Sequence, residues 1–425
     1  MKIVHLSTSD RGGAGIAAAR LHSALLKNGI DSRLLTLHKF SDNILNHEQY
    51  FPSGVRAFPI FRREINKAWQ RLRYLTGSKS KWEKYSEKYL ANRPKGYEHF
   101  SFPFSEYDLS SHPLVASADI VHLHWVSDGF LEYGSFFRKS DKKFVWSLHD
   151  MNPFTGGCHH ADGCVNFRND CMHCPQLKGT IDENISADML HLKVNALKHI
   201  ERNRMEIISP SLWLMNLSKS GNLFSRYNHS VIPNAFNTDI FKPVDKTKAR
   251  KMLGLPIDKK IIAYNAHHID NPRKGFLYLK EAMKIIKSEN ILFCAAGNEF
   301  NLIELPNLIT MGYVDSEEKM AMIYSAADAF ILPSVAENFP STICEALLCG
   351  SPVISFDTGG IPELVSEENG RLVPPGKIED LVKEILHVVN DGTYNRDSIH
   401  RKAKDKLDSS KVAIRHLEIY KRLMS

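Results

Sequence analysis

The run Pro-Ser-Val-Ala-Glu-Asn-Phe-Pro-Ser-Thr-Ile-Cys-Glu at residues 333–345 holds the side chains best suited to chemistry. Glu337 and Glu345 stand eight positions apart, with Pro340, Ser341 and Thr342 between them as a helix-opening signal. An apolar run, residues 329–332, comes just before and reads as a strand. Two carboxylates and a helix start are therefore expected to meet at the carboxyl end of a strand. Backbone N–H groups at a helix start suit a phosphate. Carboxylates accept hydrogen bonds from hydroxyls. Such a site can hold a phosphate and a polyol together.

Three further groups fall in comparable places. Asn271-Pro-Arg-Lys-Gly275 follows an apolar run at 260–264 and opens another helix. Arg273 and Lys274 there can neutralise a diphosphate and the charge it gains on leaving; the plainer alternative is a pair of solvated loop cations. Gly12-Gly13-Ala14-Gly15 follows the first strand pattern and opens a helix over 16–26. Gly13-x-Gly15-x-x-Ala18 has the form of a dinucleotide fingerprint, but the second strand ends Leu35-Thr-Leu-His-Lys39 without the acid that holds a ribose. A loop facing a donor or an acceptor is the expectation there, ahead of an NAD site. Finally, His122, His124 and Trp125 end one strand, and His149 and Asp150 end the next. His149 could meet sugar hydroxyls, whereas His124 reads as structural or acceptor-side.

The elements that must position these residues follow a rhythm. Strand-like runs at 260–264, 291–295, 308–311, 329–332 and 352–356 are interleaved with helix-period segments at 275–286, 317–327 and 341–348, and a further helix covers 378–389. The first half repeats the scheme with strands at 2–6, 33–37, 119–124, 144–148, 206–209 and 230–232, interrupted by an irregular insert at about 40–115. Alternating strands and helices predict an α/β fold of two Rossmann-like, doubly wound parallel-sheet domains. Two such domains would face one another across a cleft, with ligands at the strand carboxyl ends. The join is expected at 232–243, where two prolines lie among turn residues. The domains are then 1–235 and 236–405, with a helix at 406–425 that packs back on the first.

Length and composition agree with that plan. At 425 residues, one ordinary core is too small, and 43% apolar with 24% charged residues is the balance of a soluble globular chain. No apolar run reaches the roughly 18 residues of a membrane span, and the start, Met-Lys-Ile-Val-His-Leu-Ser, enters a strand pattern without the apolar stretch of a signal peptide. A cytoplasmic location follows as the expectation. The net charge of +7 is uneven. Residues 56–95 are rich in Arg and Lys, with Trp69, Tyr74, Trp82, Tyr85 and Tyr89 interleaved and only Glu64, Glu83 and Glu87 as acids. This reads either as a surface for anionic lipid headgroups or nucleic acid, or as an insert whose aromatics pack inward beneath solvated charges.

Cys158, Cys164, Cys171 and Cys174 cluster in a polar, glycine-containing loop at about 156–176. In a cytosolic chain that spacing points to structural zinc ahead of free thiols or two disulfides, because such a loop lacks a core of its own.

Taken together, the residues resemble bacterial family-4 glycosyltransferases of the two-Rossmann (GT-B) type, nearly end to end and least over 40–115. Glu337-x7-Glu345 with Asn338-Phe-Pro-Ser341 carries the resemblance, joined by Arg273-Lys274-Gly275, Ser334, Gly359-Gly-Ile-Pro-Glu363 and Ile232-Pro-Asn234. Leu148-His-Asp-Met-Asn-Pro-Phe-Thr-Gly-Gly-Cys158 with the four cysteines is similar to a capsule and exopolysaccharide subgroup. The resemblance implies that Glu345 holds the donor ribose and that Glu337 contacts the transferred sugar with the backbone of Asn338, Phe339, Pro340, Ser341 and Thr342. It further implies that Arg273 and Lys274 bind the pyrophosphate, that Gly13 and Gly15 lie in a loop at the donor, that His149 sits beside the sugar, and that Gly312 and Val314 seat the base. His268 stands where many members have an arginine.

The implied activity is retaining transfer of a sugar from a nucleoside-diphosphate sugar to a glycan or lipid-linked acceptor, with no catalytic metal. The basic insert would dock the protein on the inner face of the plasma membrane, against anionic lipid. Two other classes stay in view. A nucleotide-sugar epimerase on the same fold would need no acceptor. An RNA-binding module would show steep salt dependence but leaves Glu337 and Glu345 unused, so no nucleic-acid partner is expected.

Overall fold

Among the described residues, parallel pairing orders every strand of the two sheets. The computed structural model describes all residues except 53–63, 66–67, 69–70, 72–76, 269–270, 299–304, 391–393 and the side chains of 267–268. It divides into two units: Met1–Ile232 with Ala413–Ser425, and Pro233–Val412.

Unit 1 is built on β1 (Lys2–Ser9), β2 (Asp31–His38), β3 (His47–Gln49), β4 (Ile120–Leu123), β5 (Lys143–Ser147), β6 (Met205–Ser209) and β7 (Asn228–Val231). They pair in the order β3-β2-β1-β4-β5-β6-β7. Strands buried on both faces read as unbroken apolar runs, and Phe144, Val145 and Trp146 of β5 are accordingly fully buried. The helix Ser409–Met424 closes the chain and belongs to this unit from Ala413 on. Tyr420 Oη lies 2.6 Å from His122 Nδ1, and Arg422 donates to the buried Glu206 at 2.8 Å.

Unit 2 contains β8 (Lys260–His268), β9 (Ile291–Asn298), β10 (Leu308–Thr310), β11 (Ala329–Leu332), β12 (Val353–Phe356) and β13 (Gly370–Val373), in the order β10-β9-β8-β11-β12-β13. Both sheets are therefore doubly wound, and each reverses its strand order once: between β1 and β4 in unit 1, and between β8 and β11 in unit 2. The crevice at the carboxyl ends of such a pair is where open α/β sheets bind ligands.

Two strands escape the apolar reading. β3 is the polar triplet His-Glu-Gln, added at the sheet edge from inside the expected irregular insert. β13 begins at Gly370, where a Cβ would lie 2.0 Å from the Val353 carbonyl oxygen. The first helix starts at Gly12 rather than near 16, so the glycine run is its first turn and not a free loop.

Candidate active site

Arg273 and Lys274 lie on a single 3-10 turn, Pro272–Lys274, that follows β8. Asn271 caps it, its side chain accepting from the Arg273 N–H at 3.0 Å. The loop after β11 is stitched to this turn by the Val335 N–H, which donates to the Arg273 carbonyl at 2.9 Å. Two glycines permit the close approach. Gly275 has φ +72° and would place a Cβ 1.7 Å from the Pro333 carbonyl oxygen; Gly359, at φ +59°, would do the same to Glu337. The Gly360 N–H then donates to the Glu337 carbonyl at 3.0 Å, which fixes the backbone from which that side chain projects.

The outcome is an ion triad at the switch point of unit 2. Arg273 Nη1 lies 3.0 Å and Lys274 Nζ 2.6 Å from the same oxygen, Oε1 of Glu337. Glu337 is 6% exposed, while the lysine and arginine side chains keep 24% and 16% of their surface. One carboxylate thus orients two cations whose summed charge exceeds its own, so the cluster favours an incoming anion. Tyr264 adds a hydrogen bond to the Lys274 carbonyl at 3.3 Å, and burial, then the Glu337 charge, keeps its phenol neutral.

Glu345 is buried on the helix Ser341–Leu348, whose start at Pro340 has no side-chain cap. Its Oε2 accepts from Tyr324 Oη at 3.2 Å, and Asn265 donates to the same phenol at 3.4 Å. Asn338, Phe339 and Pro340 are buried ahead of this helix, with Ser341 and Thr342 half-buried in its first turn. Among the described residues, the hydroxyls of Ser334 and Thr342 are enclosed without a hydrogen-bond partner. Gly312 follows β10 at φ +65° and is exposed, and Val314 packs against the core of the unit. The side chain of His268 lies outside the described residues. Asn265, Tyr264 and Tyr324 were not visible as site residues in the sequence: each reads as an apolar strand or helix position, with no motif to mark it.

At the switch point of unit 1 the chemistry is of another kind. His5, His122 and His124 each bring a ring nitrogen within 4.8 Å of the others. His5 Nδ1 lies 3.0 Å from His124 Nε2, and His124 Nδ1 lies 3.1 Å from His149 Nε2. His122 is held by Tyr420 at 2.6 Å and by Ser147 at 2.8 Å. Burial drives His5, His122 and His124 far below the ordinary histidine range and His149 down to about 4, so these rings are neutral. Beside them, burial opposes the charge of Asp150, but His159 outweighs it and holds the carboxyl at about 2. His159 Nδ1 lies 2.6 Å from Asp150 Oδ2, and Trp125 Nε1 donates to that oxygen at 2.8 Å. Gly13 is exposed in the first helical turn. Gly15 is buried beneath it, where a Cβ would meet the Ser9 carbonyl oxygen at 2.4 Å, which gives that glycine a packing role rather than a ligand-facing one.

The zinc expectation for Cys158, Cys164, Cys171 and Cys174 is corrected. All four line one small pocket with Phe100, Phe167, Gly156 and Gly157. Among the described residues, however, no three of the sulfurs lie within 4.8 Å of one another. Tetrahedral zinc with bonds near 2.3 Å requires sulfurs closer than that. Burial pushes the thiol of Cys171 up to about 12 and those of Cys158 and Cys174 upward, so without a cation beside them these three stay protonated. The physical reason is that the loop does not lack a core. Cys158 and Cys174 pack with Phe100, Phe102, Phe104, Leu177, Ile185 and Met189, and Cys171 packs into the main core of unit 1.

Within the basic insert, the helix Lys81–Leu90 turns its aromatics inward. Tyr85 lies 4.6 Å from Phe104 and Tyr89 6.1 Å from Phe102, ring to ring. Its Lys84 and Lys88 are exposed. Much of the rest of 56–95 lies outside the described residues.

Residues 259–391, most of unit 2, match the family model for glycosyl transferases group 1. The chain is a glycosyltransferase. Over 88% of its length the enzyme is 24% identical to the putative colanic acid biosynthesis glycosyl transferase WcaC of Escherichia coli K12, covering 87% of that protein. It is 27% identical to the putative teichuronic acid biosynthesis glycosyltransferase TuaC of Bacillus subtilis, over 46% of this chain and 51% of that one. Among solved structures it is similar to sucrose-phosphate synthase from Thermosynechococcus elongatus, with a TM-score of 0.63 at 19% identity, covering 100% of this chain and 99% of that one. It is likewise similar to HepE of Anabaena in complex with UDP and glucose, with a TM-score of 0.62 at 15% identity and 99% of both chains covered. At these identities the structures establish the fold, which is that of GT-B enzymes. Among the described residues no helix is long and apolar enough to cross a membrane.

Proposed function

We propose that the enzyme is a retaining glycosyltransferase of polysaccharide biosynthesis that uses a nucleoside-diphosphate sugar. The observation that carries this reading is the placement of Arg273 and Lys274 on one oxygen of Glu337 at the β8/β11 switch point. A diphosphate has the charge to engage both cations. Their charge counts most as the leaving group gains its own, so they lower the barrier rather than only the ground state. Glu337 then serves as the acceptor for a hydroxyl of the transferred sugar. Glu345, aimed by Tyr324 and Asn265, takes the ribose hydroxyls. Gly312 and Val314 adjoin the base, and His149 in unit 1 meets a sugar hydroxyl.

In the reaction the bond from the anomeric carbon to the diphosphate oxygen breaks, and the acceptor oxygen bonds to that carbon on the same face. The acceptor proton passes to the departing phosphate. Oε1 of Glu337 is already committed to two cations, which makes it a poor covalent nucleophile and favours this front-face course. The polysaccharide assignment draws on the names of WcaC and TuaC. WcaC and TuaC are named as glycosyl transferases and the Thermosynechococcus protein as a sucrose-phosphate synthase, and none of the proteins reported above is named as an epimerase. For a lipid-linked acceptor, exposed Lys84 and Lys88 would meet anionic headgroups; equal co-sedimentation with neutral and anionic vesicles would remove that part of the reading.

The test is a thermal-shift screen against UDP-, GDP- and dTDP-sugars, followed by transfer with the best donor and determination of the anomeric configuration of the product. One donor family should raise the melting temperature, and the donor anomer should persist. Absence of any shift, or an inverted product, refutes the proposal.

A further inference from the structure

Glu345 is tied to β8 through one phenol. Tyr324 Oη lies 3.2 Å from Glu345 Oε2 and 3.4 Å from Asn265 Nδ2. The Tyr324 side chain is fully buried and packs edge-on against Phe330, with ring centroids 5.3 Å apart, so its hydroxyl must be satisfied inside the fold. Asn265 is half-buried and stands where β8 loses its register with β9. Irregularities of this kind re-aim a side chain beside a site. The neighbouring Tyr264 points to the other face of the strand, by the alternation of the pleat, and bonds the Lys274 carbonyl at 3.3 Å. Adjacent residues of one strand thus brace the Arg273–Lys274 turn and Glu345.

A phenol carries one proton, and a carboxamide presents either its NH2 or its oxygen. Two arrangements satisfy both contacts and the phenol proton. In one, the Asn265 NH2 donates to Oη and the phenol proton goes to a bare Oε2, the state of an ionised carboxylate. In the other every bond is reversed: Oε2 carries a proton and donates to Oη, and the phenol donates to the amide oxygen. Any mixture leaves two lone pairs facing or the buried phenol proton without an acceptor. The amide stands with its NH2 toward Oη, which selects the first. We infer that Asn265 is a specificity-determining positioning residue: by fixing the direction of the Tyr324 proton it keeps Glu345 an acceptor, and so favours nucleotides that bring ribose hydroxyls over those that lack them. A hydrogen bond donated to the charged form of a carboxyl group favours that form. The chain engages Oε2 and is indifferent to the other contacts of Glu345. Its consequence for binding rests on the proposed contact between Glu345 and the ribose.

Calorimetric titration of UDP, GDP and dTDP into the full chain, each beside its 2′,3′-dideoxy counterpart, provides the test. The wild type should bind its best diphosphate about 10- to 100-fold more tightly than the dideoxy form, the worth of a hydrogen bond to a charged group. Asn265→Asp keeps the shape of the side chain but offers the phenol only acceptor oxygens. In that variant the ratio should fall to within about threefold, as for a neutral contact. Tyr324→Phe, which deletes a single oxygen, should lower the ratio in the same way while the affinity for the dideoxy form holds. A merely structural loss would weaken both ligands alike and leave the ratio standing. A wild-type ratio near one removes the ribose contact of Glu345, and the specificity with it. A wild-type preference that survives in either variant overturns the positioning role and leaves the ribose contact in place. Either variant decides alone should the other fail to fold.

Discussion

At the β8/β11 switch point of unit 2, two cations and a carboxylate meet on one oxygen atom. At the β1/β4 switch point of unit 1, neutral histidines contact one another and bonded hydroxyls. The sheets are wound alike up to these points and differ in what they place there. The charged cluster keeps part of its surface, so its cations remain hydrated and can exchange a neighbour for a ligand anion. The histidine cluster is enclosed, and enclosure removes charge instead of pairing it. The same topology thus yields one site that binds by charge and another that can act only through directed hydrogen bonds.

The largest expected effect is on the charged side. Lys274→Ala should lower kcat by about 10²–10³-fold, the usual cost of removing one group that stabilises a developing charge, as read by initial rates with the donor found by screening. If the rate is unchanged, the two switch points do not differ in function as argued. Next, Gly359→Ala should destabilise unit 2 by about 2–4 kcal/mol in denaturant unfolding, because both its backbone conformation and the Glu337 carbonyl exclude a methyl group.

The histidine side predicts a pH effect of about 1–3 kcal/mol. His149 titrates at about 4 in the folded chain and near 6.5 when unfolded. Between those values the unfolded chain binds the extra proton, so stability falls as pH drops from 6.5 to 4 and this contribution then levels off. Asp150 acts lower down: held at about 2 against an ordinary 3.8, it adds stability above 3.8 that is lost as pH falls through 2. Urea titrations across pH should show the first slope in the wild type and a shallower one in His149→Ala. Smaller still, Glu345→Ala should raise donor KM about tenfold with kcat little changed, roughly the worth of one good hydrogen bond to a charged group. The smallest effect is none: prolonged chelation should leave the melting temperature unchanged, since among the described residues no three of the loop sulfurs come close enough together to share a zinc ion.

Much of this was legible in the chain, and the pattern of misses has physical causes. Strands buried on both faces announce themselves as apolar runs, which is why β1, β5, β8 and β11 were readable. Edge strand β3 is only the polar triplet His-Glu-Gln and carries no such signal. Arg273, Lys274 and Glu337 were readable because each follows a strand, and strand ends gather at the switch point. Tyr324 and Asn265 lie in the interior of a helix and a strand, and only their shared contact with Glu345 reveals them. The cysteine spacing misled because it is silent about Phe100, Phe102 and Phe104, far upstream, which give the loop its core. The histidines at 5, 122 and 124 were seen singly or not at all, since register across two parallel strands brings them together.

Binding of nucleotide to the ion triad tests the central claim most directly. Calorimetric titration of UDP, GDP and dTDP into the wild-type chain and into the Arg273→Ala, Lys274→Ala double variant should find one diphosphate that binds the former and binds the latter at least about 100-fold more weakly, the combined worth of two charge-assisted contacts. Equal affinity for both proteins would contradict the account.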